Sequence, residues 1–202
     1  GIVAAYTYWN PETHFQCQAI AHSADGHTFT KYEGNPVLPE LPDDKDFRDP
    51  KVFWHQPTRR WVMVVAGGKL RFYTSTNLRD WEFAGLQEDI WTECPDLFPL
   101  TVEGEPETTK WILSGGGHWY IIGEFDGQRF TPESERIPMG SGPDFYATQS
   151  WDNAPGGRRV LISWLFGWGY DSGPRGGEIA NPFPTGSNSG GCQCVPMDAT
   201  LA

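Results

Sequence analysis

Three acidic residues stand in comparable contexts, each just before a strand-like segment, and are candidates for acid–base chemistry. Glu93 precedes a Cys-Pro pair and a short apolar run, Asp49 lies in an Arg-Asp-Pro triplet, and Asp144 follows a Gly-Pro pair. Hydrophobic neighbours raise the pKa of a carboxyl group, and a raised pKa suits a proton donor. The context therefore predicts Glu93 as a general acid, although the segment considered alone also fits an ordinary loop glutamate.

Asp49 and Asp144 are candidates for binding a ligand through their carboxylates, with a structural alternative for each. Arg48 precedes Asp49, and an adjacent cation keeps an aspartate ionised, so that it can accept hydrogen bonds. Either aspartate could instead serve a turn before a strand. Tyr146 alternates with Phe145 in the next segment, so only one of the two faces the acids, and the sequence leaves open which.

Short segments rich in β-branched and aromatic residues, bounded by Gly, Pro, Asp and Asn, are the elements that must position these acids. No stretch has a convincing apolar stripe of helical period. The predicted strands are residues 2–9, 15–22, 51–55, 60–66, 69–74, 81–83, 111–114, 119–125, 145–151 and 159–165. The sequence therefore predicts an all-β protein, built as a sandwich, a barrel or a propeller.

An internal repeat favours the propeller. Turns with a Ser followed two residues later by Asp or Asn precede Phe29 and Trp81, and a shorter version precedes Phe130. The three acids recur with a similar period of about fifty residues and about four strands per unit, which is typical of a β-propeller blade. Since the first strand of a blade lies nearest the central axis, we expect the three acids to open into one funnel.

The composition narrows the classes of partner. The chain of 202 residues has a formal net charge of −11, which argues against nucleic acid and anionic membranes because phosphate binding needs a basic surface. Its five His and four Cys form no metal-ligand pattern, so we expect no metal and no other cofactor. Neither a signal peptide nor an apolar run of ~18 residues is recognised.

Three motifs in this order resemble glycoside hydrolase family 32, which holds invertases, inulinases, levanases and related fructosyltransferases. They are Phe-Arg-Asp-Pro-Lys-Val-Phe-Trp at 47–54, Glu-Cys-Pro-Asp-Leu-Phe at 93–98 and Asp-Phe-Tyr-Ala-Thr-Gln at 144–149. Residues 31–38 and 75–83 are similar to family segments too. The resemblance implies a five-bladed β-propeller and a retaining reaction at fructose, with an aspartate nucleophile and a glutamate acid/base.

The resemblance also implies individual roles. Glu93 would be the acid/base and Asp49 the aspartate that holds the fructosyl hydroxyls in the transition state, with Arg48 beside it. Asp144 and Tyr146 would line the sugar pocket. The nucleophile of the family lies in a Trp-Met-Asn-Asp-Pro-Asn-Gly type segment, which this sequence does not contain.

We therefore expect an incomplete propeller of roughly blades two to five, as a fragment or a truncated product, that is inactive or nearly so by itself. Residues 1–38 would be the rest of blade two, 47–90 blade three, 91–140 blade four and 141–202 blade five. The longer protein is expected to be secreted and to cleave β-fructofuranosyl linkages of sucrose, inulin or levan. The alternatives are a fructosyltransferase, an inactive carbohydrate-binding propeller, and a protein-interaction propeller, which is disfavoured because it needs no acid at each inner strand.

Overall fold

The structure, a computed structural model, describes residues 1–90, 92–116, 119–140, 145–165, 192–194 and 196–202. Within these ranges the chain forms strands joined by turns and contains no helix. These ranges accordingly hold no helix that could cross a membrane. The prediction of an all-β protein is confirmed.

The described strands form four antiparallel sheets that follow one another along the chain, as propeller blades do. The first sheet contains β1 (Ile2–Trp9), β2 (Gln16–Ser23) and β3 (Thr30–Lys31). The second contains β4 (Arg48–His55), β5 (Arg60–Ala66), β6 (Leu70–Ser75) and β7 (Glu82–Gln87). The third contains β8 (Asp96–Val102), β9 (Glu105–Gly115) and β10 (Trp119–Phe125), with β11 (Phe130–Pro132) and β12 (Ile137–Pro138) both paired to β10. The fourth contains β13 (Phe145–Ala154) and β14 (Arg158–Leu165), with β15 (Cys192–Gln193) and β16 (Met197–Asp198) both paired to β14.

Each predicted strand overlaps an observed one, and β8 is the strand expected after Glu93, for which the sequence indicated no bounds. Pro95 and Pro99 obscure it, because proline cannot donate a backbone hydrogen bond to a neighbouring strand. In the described part of the chain, β8 ends its sheet and has β9 as its strand partner, apart from an isolated bridge between Val102 and Leu201. Proline is tolerated in such a strand when its missing N–H would face away from the ladder.

Strand β5 shows how the second sheet is held between its neighbours. Val62 and Val64 join an apolar core with the third sheet, whereas Met63 and Val65 join a second core that includes Leu38. All four strand residues are fully buried. Because alternate side chains of a strand face opposite sides, an uninterrupted apolar run indicates a strand covered on both faces.

The repeated turn motif makes the same hydrogen bonds in three successive sheets. Oδ1 of Asp25, Asn77 and Asp126 each accepts the backbone N–H groups of the second and third residues that follow. A side-chain acceptor of this kind defines the turn locally. The sequence repeat therefore marks an equivalent turn before β3, β7 and β11.

A second structural repeat lies at the head of β4, β8 and β13, where the backbone is left-handed at Asp49 (φ 60°), Cys94 (φ 45°) and Ala147 (φ 52°). Residues other than glycine adopt this conformation rarely. An alignment of the repeats by residue type makes Asp49 equivalent to Glu93. The backbone conformation instead makes Asp49 equivalent to Cys94, one residue later, because it is the bend, and not the charge, that is repeated. The residues just before the three bends are therefore equivalent: Arg48, Glu93 and Tyr146.

Candidate active site

Glu93 lies at the centre of a group of side chains from three consecutive sheets. Its Oε1 accepts a hydrogen bond from Nη2 of Arg48 at 2.6 Å, and its Oε2 accepts one from the hydroxyl of Tyr146. These partners are 45 and 53 residues away along the chain. The three equivalent residues of the backbone repeat thus meet at one point.

Asp49 lies next to this group and contacts Cys94, the residue at the equivalent bend of the third sheet. Its Oδ2 accepts the backbone N–H of Cys94 at 3.0 Å, lies 3.6 Å from the Cys94 sulfur and lies 3.8 Å from Nε of Arg48. The backbone N–H of Asp49 donates to Oγ1 of Thr7 on β1 at 3.0 Å. Four of the five residues singled out from the sequence therefore lie together, whereas Asp144 lies outside the described residues.

The main chain of Glu93 is tied to the third and fourth sheets. Its carbonyl oxygen accepts the N–H of Gly116 at 2.8 Å and the hydroxyl of Thr92 at 2.9 Å. The carbonyl of Gly116 accepts the N–H of Ala147 at 2.8 Å. Gly116 has a φ of 59°, which glycine adopts without steric cost. These bonds set the spacing between the segments that carry Glu93 and Tyr146.

The pKa of Glu93 is lowered, and the expectation of a raised value was wrong for this structure. The hydrogen bond from Tyr146 is the main cause of the lowering, burial acts in the opposite direction, and Arg48 lowers the pKa further. The apolar residues after Glu93, such as Leu97 and Phe98, are buried in the sheet, whereas 36% of the Glu93 side chain is exposed. Neighbours in the sequence are therefore not the neighbours of the carboxyl group.

Arg48 binds two further residues that the sequence analysis did not single out. Its Nη1 donates to Oδ1 of Asp46 at 2.5 Å and lies 3.4 Å from Oε1 of Gln16. Burial of Arg48 opposes its charge, but the hydrogen bonds to Asp46 and Glu93 raise the pKa of the guanidinium. Asp46 could have been recognised by its position two residues before Arg48. Gln16 and Thr7 gave no signal, because their contacts depend on how the first sheet packs.

Cys94 contacts Asp49 as a neutral thiol. Burial is the main cause that raises the pKa of Cys94 to about 12, and the negative charge of Asp49 adds to the effect. Only the thiolate form of cysteine is a good nucleophile. Cys94 therefore serves here as a hydrogen-bond partner of Asp49, and the carboxylates are the groups available for acid–base chemistry.

The arrangement brings together two carboxylates, those of Glu93 and Asp49, that are open to a ligand. The side chains of Glu93 and Asp49 are 36% and 29% exposed, so each keeps an accessible surface. Arg48 lies between the two and limits their mutual repulsion. The described residues contain no group of three His, Cys, Asp or Glu placed to hold a metal ion.

Comparison with known proteins relates the chain to fructan-degrading enzymes. The family model "Glycosyl hydrolases family 32 N-terminal domain" matches residues 1–177. The chain is 42% identical over 193 residues to a levanase of Bacillus subtilis (strain 168), covering 84% of this chain and 28% of the levanase. It is 43% identical over 189 residues to an extracellular exo-inulinase of Meyerozyma guilliermondii, covering 84% of this chain and 36% of that protein. The chain thus spans 28% to 36% of the length of these two relatives.

Solved structures show the same similarity. An exo-inulinase from Aspergillus awamori superposes with a TM-score of 0.79 at 31% identity, covering 98% of this chain and 45% of that one. A β-fructofuranosidase from Schwanniomyces occidentalis, complexed with fructosyl-erythritol, superposes with a TM-score of 0.70 at 34% identity. That match covers 81% of this chain and 34% of the fructofuranosidase. The architecture is accordingly that of a β-propeller, of which the described sheets form a part.

Proposed function

The chain belongs to glycoside hydrolase family 32, and from this membership we propose that it is part of an enzyme that hydrolyses β-fructofuranosyl linkages of sucrose, inulin or levan. The names of the similar levanase and exo-inulinase support this class of substrate. The observation that carries the proposal is the position of Glu93, which Arg48 and Tyr146 hold from two neighbouring sheets. A carboxyl group fixed in this way can transfer a proton along one defined direction.

Glu93 acts in this proposal as the general acid and base. It first protonates the oxygen of the leaving sugar and then, as a carboxylate, removes a proton from the attacking water. Arg48 and Tyr146 hold its two oxygens in place, and their hydrogen bonds stabilise the carboxylate once it has given up its proton. This reversal of role agrees with its partial exposure, because both the leaving group and water must reach it.

Asp49 binds the fructosyl hydroxyls in this proposal. Its Oδ2 accepts the N–H of Cys94, which fixes the carboxylate, and Nε of Arg48 lies 3.8 Å away. Hydrogen bonds from hydroxyls to an ionised acceptor are stronger than those between neutral groups. Tyr146 and Arg48, which contact Glu93, belong to the same sugar pocket in this proposal. Asp144 is assigned to that pocket from the family resemblance alone.

The attacking carboxylate must come from another part of the longer protein. A retaining reaction requires a second carboxyl group about 5–5.5 Å from the first, and no segment of this sequence matches the nucleophile motif of the family. Asp49 is already engaged by Cys94 and Arg48. A second carboxylate near Glu93 would also raise the pKa of Glu93, because like charges disfavour joint ionisation. This converts the ionised group of the present structure into a proton donor.

The chain alone should therefore release fructose very slowly. General acid catalysis contributes about 10²–10⁴-fold, whereas enzymes exceed the uncatalysed rate by about 10⁶-fold or more. The difference is what the positioned nucleophile and its covalent intermediate supply.

The test compares fructose release by the purified chain with release by the same chain joined to an upstream segment that carries the family nucleophile motif. We expect activity in the joined protein, its loss on Glu93→Gln, and its retention on Glu107→Gln, which alters an exposed glutamate of β9. Full activity in the unjoined chain would show that the nucleophile lies within these 202 residues. Full activity of Glu93→Gln would remove Glu93 from the mechanism.

A catalytically inactive carbohydrate-binding propeller is the second candidate. The observation that favours it is the lowered pKa of Glu93, because an ionised carboxylate suits hydroxyl binding rather than proton donation. Fructose binding by the joined protein without turnover, measured by calorimetry, would support this candidate. A fructosyltransferase would be recognised in the same assay by transfer of fructose to a sugar acceptor.

The blade assignment and the compartment are also proposals. We infer that residues 1–38, 47–90, 91–140 and 141–202 belong to blades two, three, four and five of a five-bladed propeller. The longer protein is proposed to be secreted, since similar exo-inulinases are described as extracellular. Its partner is a fructoside rather than nucleic acid or a membrane, in agreement with the net charge of −11.

A further inference from the structure

A buried ion pair lies two residues beyond the bends that carry the candidate site. Nζ of Lys51 on β4 lies 3.0 Å from Oδ1 of Asp96 on β8. The pair is closed by the backbone of Ser150 on β13, whose carbonyl accepts a hydrogen bond from Lys51 at 2.8 Å and whose N–H donates to Oδ2 of Asp96 at 2.6 Å. Three side-by-side sheets are thus joined at one point.

The positions of these residues follow the backbone repeat. Lys51 and Asp96 are each the second residue after a left-handed bend, at Asp49 and Cys94. Gln149, the second residue after the third bend, also reaches across sheets, and its Nε2 lies 3.2 Å from the carbonyl oxygen of Cys94. One position of the repeat therefore forms contacts between sheets in all three cases.

Burial makes this pair a poor source of stability. The side chain of Asp96 is 1% exposed and that of Lys51 is 15% exposed, so both charges lose most of their hydration. Replacement of a buried ion pair by apolar residues of similar volume is often neutral or stabilising, and the better-supported use of such pairs is to specify register. Oδ1 of Asp96 contacts Lys51 as an ion pair without a well-aligned hydrogen bond, which also argues against stability as the purpose.

Register is what the candidate site requires. A strand rises by about 3.3 Å per residue. A shift of β4 by one residue relative to β8 would therefore break the hydrogen bond from Nη2 of Arg48 to Oε1 of Glu93, which is 2.6 Å long. We propose that Lys51 and Asp96 are positioning residues, which set the relative heights of β4, β8 and β13 and thereby bring Arg48, Glu93 and Tyr146 into contact. The importance of that contact for catalysis rests on the proposed function, but the contact itself can be measured without turnover.

The test removes the pair without changing net charge. In the 202-residue chain, the double variant Lys51→Met with Asp96→Leu replaces both charges by apolar side chains and leaves Arg48, Asp46 and Asp49 around Glu93. The pKa of the Glu93 carboxyl is followed by ¹³C NMR titration and assigned with Glu93→Gln, and folding is checked by near-UV circular dichroism. We expect a folded protein in which the pKa of Glu93 rises towards the ordinary glutamate value, because the hydrogen bonds from Tyr146 and Arg48 are weakened.

The matched control is Ser150→Ala, which retains the backbone N–H and carbonyl that Lys51 and Asp96 use. It should leave the pKa of Glu93 unchanged. An unchanged Glu93 pKa in a folded double variant would overturn the proposal. An unfolded double variant would overturn it too, because the pair would then be needed for the fold itself. Since neither readout uses activity, an inactive joined protein would refute the proposed function and leave this inference standing.

Discussion

Arg48 donates hydrogen bonds to two acids, Glu93 and Asp46, and both Arg48 and Asp46 affect the pKa of Glu93. Nη2 binds Glu93, whereas Nη1 binds Asp46 at 2.5 Å. The negative charge of Asp46 acts on Glu93 in the opposite sense to Arg48 and raises the pKa of Glu93. An exposed residue outside the three family motifs thus adjusts the proposed acid.

Asp46→Asn should lower the pKa of Glu93 further, because it removes a nearby negative charge and leaves Arg48 more fully to Glu93. A smaller protonated fraction would then be available above that pKa. In the joined protein, the alkaline limb of kcat/KM should move to lower pH. Asp43→Asn, an exposed change in the same loop, is the control, and an equal shift with both variants would contradict a specific role for Asp46.

At the scale of strands and sheets, close packing between sheets depends on glycine positions where there is no room for a side chain. A Cβ atom at Gly85 on β7 would lie 2.3 Å from the backbone oxygen of Gln128 in the third sheet. Backbone cannot move aside as a flexible side chain can. The second and third sheets therefore approach each other closely at this glycine.

Gly85→Ala should destabilise the chain by about 1–3 kcal/mol, the usual range for overpacking. Urea unfolding followed by tryptophan fluorescence measures the change. Gly68→Ala is the matched control, since its Cβ would meet only Asp44 at an ordinary 4.0 Å. Equal stability of the two variants would show that the sheets adjust without cost.

The burial of His55 between the second and third sheets leads us to expect that the stability of this interface depends on pH. The ring is 1% exposed, lies 5.5 Å from Trp111 and 5.4 Å from Phe125 between ring centroids, and bonds Thr58 through Nδ1 at 2.8 Å. Burial lowers the pKa of His55, against smaller opposing effects of the backbone of Phe125 and the charge of Asp126. An unfolded histidine titrates near about 6.5, so the unfolded state binds the proton more readily. The contribution to stability is therefore complete above that pH and is lost as the pH falls through the folded pKa.

The free energy of unfolding, measured in urea at a series of pH values from neutral to acidic, should fall less steeply in His55→Leu than in the unchanged chain. His22→Gln, which alters an exposed histidine of β2, should keep the original slope. If His55→Leu keeps it as well, acid sensitivity arises elsewhere.

Exposed apolar side chains on β1 determine how the whole chain behaves in solution. Ile2 is 53% exposed and Trp9 is 51% exposed, at the two ends of a strand that, among the described residues, ends its sheet. Apolar surface and unpaired strand edges favour association.

We expect the isolated chain to self-associate with increasing concentration in sedimentation experiments. The double variant Ile2→Lys with Trp9→Lys should reduce association, whereas Phe29→Lys, which alters an aromatic residue that is 44% exposed but lies outside the strands, should not. A monomer at every concentration would contradict this prediction.

The sequence by itself determined most of the strands and turns and indicated which residues to examine as a site, because these depend on local patterns and motifs. The apolar run of β5 specifies a strand buried on both faces, the side chains of Asp25, Asn77 and Asp126 define equivalent turns, and the motifs identify Arg48, Glu93 and Tyr146 as residues to examine. The bounds of β8 were not predicted, because Pro99 lies within it and proline is tolerated there only at the end of a sheet.

Only the tertiary structure decided which groups surround each acid. Glu93 follows an apolar pattern in the sequence, yet its carboxyl group contacts Arg48 and Tyr146, 45 and 53 residues away, and its pKa moves in the opposite direction from the one expected. The alignment of Asp49 with Cys94 and the pairing of Lys51 with Asp96 likewise depend on how one sheet sits against the next. The register between sheets is set by the packing of whole sheet faces, and the local periodicity of the sequence does not specify it.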